Sequence, residues 1–150
     1  MVKRTIKYVD FLGNERVEDF YFNYTEAELS KLEWSKNGGF STYIKRIIDA
    51  MDAEEIIKVF DQVILDTYGE ISLDGKYFLK EDEHGDPRGR AKKFMQSAAY
   101  PIFFNNLIEN KGALAAFFNE LIPERLIKKA EEARLQQEAE EKNRVESAMQ

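Results

Sequence analysis

The residues best suited to chemistry gather between Glu70 and Lys93. His84, the single histidine, is flanked by Asp82, Glu83 and Asp86. Such a group could ligate a metal or move a proton. One imidazole on a polar loop marked by Gly and Pro makes a poor metal site, because binding needs several preplaced ligands. A solvated histidine is the expectation. Glu70, Ser72 and Asp74 ahead of Gly75 offer hard oxygens for calcium, but the Asp-x-Asp-x-Asp-Gly spacing with a distal Glu is absent. Arg88, Arg90, Lys92 and Lys93 form a short basic patch, read as offsetting the acids before it. Gly38-Gly39 could cradle an anion, yet no Gly-x-Gly-x-x-Gly or Gly-Lys-Ser/Thr pattern follows. A helix stop explains that pair. Nucleophilic catalysis needs a base beside a Ser, Thr or Cys. There is no cysteine, no Gly-x-Ser-x-Gly, and no pattern that isolates a buried acid–base pair. The chain is therefore expected not to be an enzyme, with no catalytic, cofactor or metal residues.

The elements that would carry these residues are mainly helical. Residues 5–22 read as a β-hairpin, with Ile6 and Tyr8 on one side, Lys7, Val9 and Phe11 on the other, and Leu12-Gly13-Asn14 as the turn. A lone hairpin is marginal in water, so it must pack on the helices or join another strand. Its edge could receive another copy or simply be kept soluble by Lys7, Arg16 and Glu18. Phe20, Tyr21, Phe22 and Tyr24 end the strand, and Thr25-x-x-Glu28 forms a capping box. Helix one then runs from about Thr25 to Ser35, with Leu29 and Leu32 inward and Trp34 off their line. Asn37-Gly38-Gly39 stops it.

Helix two covers about Ser41 to Met51, with Phe40, Tyr43, Ile44, Ile47, Ile48 and Met51 on the core side. Asp52 caps helix three, which reaches about Tyr68 on a stripe of Ile56, Ile57, Phe60, Ile64 and Tyr68, with Val63 and Leu65 flanking and Gly69 as the C′ residue. Residues 70–80 read as a tight loop or very short hairpin around Asp74-Gly75 that plugs the end of the helical core. A polar loop follows over 81–90. Helix then resumes over 91–109 with a break near Ser97, since Pro101 fits a first turn. Asn110-Lys111-Gly112 breaks it again, and a last body helix carries Leu114, Phe117, Phe118, Leu121 and Ile122. Residues 124–150 contain no Gly, Pro or aromatic. They read as a charged helical or disordered tail, a solvated helix that frays before its end, with no sustained heptad.

The expected fold is thus mainly α: an N-terminal hairpin packed on five to six helices in one globular domain over 1–123 (helical body 25–122), then the tail 124–150. At 150 residues, 43% hydrophobic and 13% aromatic, such a domain can bury a real core. A net charge of −6 argues against a nucleic-acid partner. No run approaches a membrane span, and no secretory leader pattern opens the chain. A soluble protein of a reducing cytoplasm is expected.

One family resembles the chain as a whole. Glu18-Asp19-Phe20-Tyr21-Phe22-Asn23 followed by Thr25-Glu26-Ala27-Glu28 is similar to the tail assembly chaperones of long-tailed phages and prophages of Gram-positive hosts. So is the series Gly38-Gly39, Tyr43-Ile44-x-x-Ile47-Ile48, Ile56-Ile57-x-x-Phe60, Tyr68-Gly69 and Ser72-x-Asp74-Gly75-x-x-Phe78-x-Lys80. Ala99-Tyr100, Phe103-Phe104 and Ala115-Ala116-Phe117-Phe118-Asn119 before Ile122-Pro123 continue it. The likeness spans roughly residues 3–123 and leaves out the tail. Arg88–Lys93, where an acidic helix start is expected, and Pro101 depart from the pattern.

The resemblance implies a non-enzymatic protein of the host cytoplasm, absent from the mature virion. Such a protein binds the tape measure protein and keeps it soluble while the tail is built. It implies several copies, hence a homo-oligomer, and a frameshifted longer form of the chain as a further partner. The natural binding mode is an amphipathic helix in an apolar groove, for which Phe103, Phe104, Leu107, Phe117 and Phe118 are the expected contacts. The alternatives are a structural tail or connector subunit of the virion, or a prophage-encoded regulatory protein.

Overall fold

A computed structural model describes residues 1–35, 39–50, 52–122 and 124–149. The expected stop at Asn37-Gly38, the apolar Met51 and the boundary at Pro123 lie outside the described residues. So do the side chains of Ile47, Leu126, Ile127 and Ala130.

A hairpin forms, but its first strand starts at Val2 rather than Thr5 and ends at Val9, so Phe11 lies in the turn and not on the strand. Strands β1 (Val2–Val9) and β2 (Glu15–Phe22) pair antiparallel from Val2 opposite Phe22 to Val9 opposite Glu15. Asp10 organises the turn. Its carboxylate accepts from the backbone N–H groups of Leu12 and Asn14, both at 2.9 Å, and from Arg16 Nε at 2.6 Å. The Arg16 hydrogen bond, then that of Asn14, lower its carboxyl to about 2. Alternation puts Val2, Ile6, Phe20 and Phe22 on the buried face and leaves Lys3, Thr5, Lys7, Val9, Glu15, Val17 and Asp19 exposed on the other.

The chain then enters α1 (Glu26–Ser35) through the capping box. Thr25 Oγ1 accepts from the Glu28 N–H at 3.1 Å, and Glu28 Oε1 accepts from the Thr25 N–H at 3.0 Å. Leu29 is buried, Leu32 is half-buried and Trp34 is exposed. Glu33 is buried too, with 1% exposure, and its Oε2 accepts from the Phe40 N–H at 3.1 Å, at the start of α2 (Phe40–Ala50). Gly39 makes room for that carboxylate. Its φ is +93°, and a Cβ there would lie 1.7 Å from Glu33 Oε1.

Helix α3 (Ala53–Thr67) is capped by Asp52, whose side chain accepts from the Glu55 N–H at 3.2 Å. Its buried stripe differs from the expected one. Val59, Phe60, Val63, Ile64 and Thr67 are buried, whereas Ile57 is 38% exposed. The helix touches α2, β2 and α4 together, so its inner face is wide: Phe60, Ile64 and Tyr68 are buried as expected, and Val59, Val63 and Thr67 extend the face.

The largest departure follows. Gly69 does not terminate the helix in a left-handed turn. Tyr68 is already extended (φ −63°, ψ 136°), and the chain continues as β3 (Tyr68–Ile71) and β4 (Phe78–Leu79). Tyr68 pairs with Phe22 and Gly69 with Tyr21, giving a four-stranded antiparallel sheet in the order β1-β2-β3-β4. Residues 70–80 are thus a short hairpin that widens the sheet, not a plug in the helical core. The free edge of β2 draws the chain into this register, and the Asn23 N–H donates to Thr67 O at 2.9 Å just beyond it. Glycine is needed at 69 because a Cβ would stand 2.5 Å from the Phe78 ring and 2.9 Å from Leu79 O. Ser72 and Asp74 tie the turn through Ser72 Oγ to Asp74 Oδ1, 2.6 Å, and the Lys76 N–H to the same carboxylate oxygen, 3.0 Å.

Helices α4 (Gly89–Met95) and α5 (Ala99–Ile108) are separated near Ser97, with Pro101 in the first turn of α5. Asn110 does not merely break the chain. It is the N-cap of α6 (Lys111–Leu121) and accepts from the Ala113 N–H at 3.1 Å. Helices α5 and α6 pack against β1, while α4 packs against β3. Helix α7 spans Glu124–Ala148, so the tail is a continuous helix rather than a frayed one. Its first part lies on α1, where Lys129 Nζ is 2.6 Å from Glu26 Oε1. No described helix is long and apolar enough to cross a membrane.

Lys80 joins the second hairpin to the first junction. Its Nζ donates to Glu28 Oε2 at 2.9 Å, to Oε1 at 3.0 Å, and to Asn23 O at 2.9 Å. Burial opposes ionisation of Glu28, but the Lys80 hydrogen bond and the Thr25 N–H outweigh it and hold the carboxyl below its ordinary value. A depressed folded-state pKa contributes stability that is complete above the ordinary glutamate value, about 4.3, and is lost as pH falls through the folded value. Urea midpoints measured from about pH 5 downward should therefore decline, and Lys80→Met should flatten that decline. Gly69→Ala should cost about 1–3 kcal/mol in the same assay; an unchanged midpoint would remove the steric account of Gly69.

Candidate partner-binding surface

The five residues expected to contact a partner lie on α5 and α6. Phe103, Leu107, Phe117 and Phe118 are buried, with exposures of 4%, 6%, 0% and 4%. They belong to the chain's own core. Phe103 stacks on Phe22 at 5.0 Å between ring centroids, and Phe117 meets the edges of both Phe22 and Phe103 at 5.4 and 5.5 Å. The reason is topological: α5 and α6 lie directly on β1 and deliver their aromatics onto the buried face of the sheet.

Phe104 differs. It is half-buried and packs on Phe60 of α3 at 5.5 Å and on Tyr100 at 5.9 Å. Ile102 on α5 and Ile57 on α3 are exposed, at 37% and 38%. The Tyr100 hydroxyl donates to Asp61 of α3 at 3.3 Å, and burial, then the Asp61 charge, raise its pKa. Of the five residues only Phe104 reaches solvent, on the side of α5 that meets α3, and the other four are buried in the core.

A second apolar surface was not foreseen. The open sheet face and the two hairpin tips carry Val9, Phe11, Leu12, Val17, Ile71, Leu73 and Tyr77, all exposed, with Leu12 and Leu73 essentially in solvent at 89% and 109%. Both tips lie at the same end of the sheet, because β3 runs antiparallel to β2 from Phe22 back toward Val17. The signal in the sequence was the alternation itself, which places Val9 and Val17 opposite the core face.

The groups singled out for chemistry are engaged structurally. Arg88 pairs with Asp66 on α3 and Arg90 with Glu70 on β3, the latter at 2.6 Å, while Lys92 pairs with Asp86 at 2.7 Å. The basic patch thus offsets acids of α3 and β3 as well as a neighbouring one. Burial raises the Asp66 carboxyl above its usual range, and the Arg88 charge opposes this. His84 is exposed, 3.9 Å from Glu83. Among the described residues no three His, Cys, Asp or Glu side chains come together to hold a metal ion.

No curated protein and no solved structure matches the chain. The family model described as phage tail assembly chaperone matches residues 1–150. That span includes the charged helix beyond residue 123, which the sequence resemblance had left outside the shared pattern. Helix-dominated architecture, the N-terminal antiparallel strand pair and this whole-length match agree with one another. The chain belongs to the phage tail assembly chaperone family.

Proposed function

We propose that this chaperone binds the tape measure protein of a phage tail and keeps it soluble in the host cytoplasm until the tail is assembled around it, without becoming part of the virion. The family match over the whole chain carries the reading. The task needs no bond-making chemistry, only reversible burial of apolar segments. The α3–α5 side supplies such a surface. Phe104 and Ile57 present partly exposed apolar area there, while Phe103, Leu107, Phe117 and Phe118 lie in the core. An amphipathic helix is the partner form that fits an apolar strip between two helices. Several copies act together along the partner, joined where a frameshift yields it by a longer form of the chain, and the net charge of −6 keeps the assembly soluble.

Co-expression with the tape measure protein of the same phage tests the reading. The soluble fraction of that protein should rise several-fold with the chaperone and fall back without it. Mass spectrometry of purified particles should find the chaperone absent. Abundant copies in the particle would instead mark a structural tail or connector subunit.

Phe104→Asp should leave the helical circular dichroism intact and abolish solubilisation. A folded variant that still solubilises the partner would remove the α3–α5 surface from the proposal. Phe117→Ala is the contrasting change: the side chain is fully buried, so the variant should lose about 3–5 kcal/mol of stability, read as a lowered urea midpoint.

A further inference from the structure

Helix α7 leaves the body after Arg134. Every residue from 135 to 149 is exposed, so about 20 Å of helix stands in solvent. Helices of this length are marginal in water on their own and are ordinarily held by packing of an apolar face. Leu135, Val145 and Met149 are 51%, 58% and 82% exposed, and with Ala139 they fall within about one third of the helix circumference. Glu138, Lys142 and Glu146 share that face at i, i+4 spacing.

The open face of the sheet lacks a cover as well. Val9, Val17 and Ile71 are 56%, 65% and 43% exposed on it. Charges flank them in rows: Lys3 and Lys7 on β1, Glu15 and Asp19 on β2, with Lys7 directly opposite Val17. Neither lysine has an ion-pair partner among the described residues. β1 is the outer strand of the sheet.

We propose that residues 135–149 of α7 in one copy dock across the open sheet face of a second copy. The two surfaces match in kind and in charge. The apolar residues of the helix meet Val9, Val17 and Ile71, the glutamates of the helix face the Lys3–Lys7 row, and Lys142 faces the Glu15–Asp19 row. Pairing of two α7 helices antiparallel about their centre fits less well, because it sets Lys142 against Lys142. Helix-to-sheet docking is heterologous, so each copy offers one surface of each kind and the contact repeats into an open chain. This rests on the proposed multi-copy action along a long partner. It leaves the α3–α5 side of each copy free, since the sheet buries its other face against α4, α5 and α6.

The absence of cysteine makes the contact directly testable in the full-length chain. Val17→Cys and Val145→Cys both fall at exposed positions, so neither disturbs the core. The two variants, carrying tags of different size, are mixed in equal amounts and oxidised with copper–phenanthroline in air. The expected product is the mixed disulfide dimer, with each variant alone remaining largely monomeric on a non-reducing gel, and Lys3→Glu with Lys7→Glu in the Val17→Cys chain lowering its yield. Only same-site dimers, a statistical mixture of all three dimers, or no dimer would each overturn the proposal. The same variants are assayed, reduced, for solubilisation of the partner. Failed cross-linking with intact solubilisation removes the docking mode alone. Lost solubilisation in the unmodified protein removes the chaperone reading alone.

Discussion

The structure depends on the contact between Phe22 and the aromatics of α5 and α6. Phe22 is fully buried and meets Phe103, Phe117, Phe94 and Tyr68 at 5.0 to 5.8 Å. It is the last residue of β2 and pairs with Val2 on one side and Tyr68 on the other. One ring therefore joins both hairpins to the helical layer. Aromatic pairs add about 0.5–1.5 kcal/mol each beyond their area. Several such pairs sharing one ring make the sheet and helices a single cooperative unit. Arg4 extends the same joint outward. Its guanidinium lies 5.5 Å from the Phe117 ring and binds both oxygens of Glu120, at 3.0 and 3.1 Å.

Polar groups hold the second half in place rather than forming a reactive centre. Lys80 returns from β4 to the Thr25–Glu28 cap, while Arg88 and Arg90 reach from the start of α4 to α3 and β3. These links surround the point where α3 turns directly into β3, whose buried Ile64 and Tyr68 supply the apolar contacts beneath them. Glu33 does similar work between α1 and α2, where its carboxylate receives the Phe40 N–H.

A one-sided sheet has a consequence for a protein that handles other chains. Burying Val2, Ile6, Phe20 and Phe22 leaves the opposite face in solvent, and there the apolar residues alternate with charges. Lysines on the outer strand discourage indiscriminate strand pairing while leaving room for a partner of suitable charge. The helical side exposes a narrower apolar strip around Phe104. Two separate surfaces suit the proposed role, in which one side holds a partner and the other a neighbouring copy.

The sequence by itself determined whatever depends on near neighbours. The alternation within residues 5–9 and 15–22, the Thr25–Glu28 box, the Asp52 cap and the early position of Pro101 are local hydrogen-bonding and steric preferences, and each appears where its residues dictate. The order of motifs along the chain carried the family. Only the tertiary structure decided what depends on distant partners. Tyr68-Gly69 carried ordinary helix-end signals, but the free edge of β2 and the Phe78 ring made them a strand. Phe103 and Phe117 looked the same as Phe104 on an apolar helix face. Which of them meets solvent was settled by Phe22, some 80 to 95 residues away, because on a helix with a wide apolar face the stripe alone leaves the rotation about the axis to what it packs against.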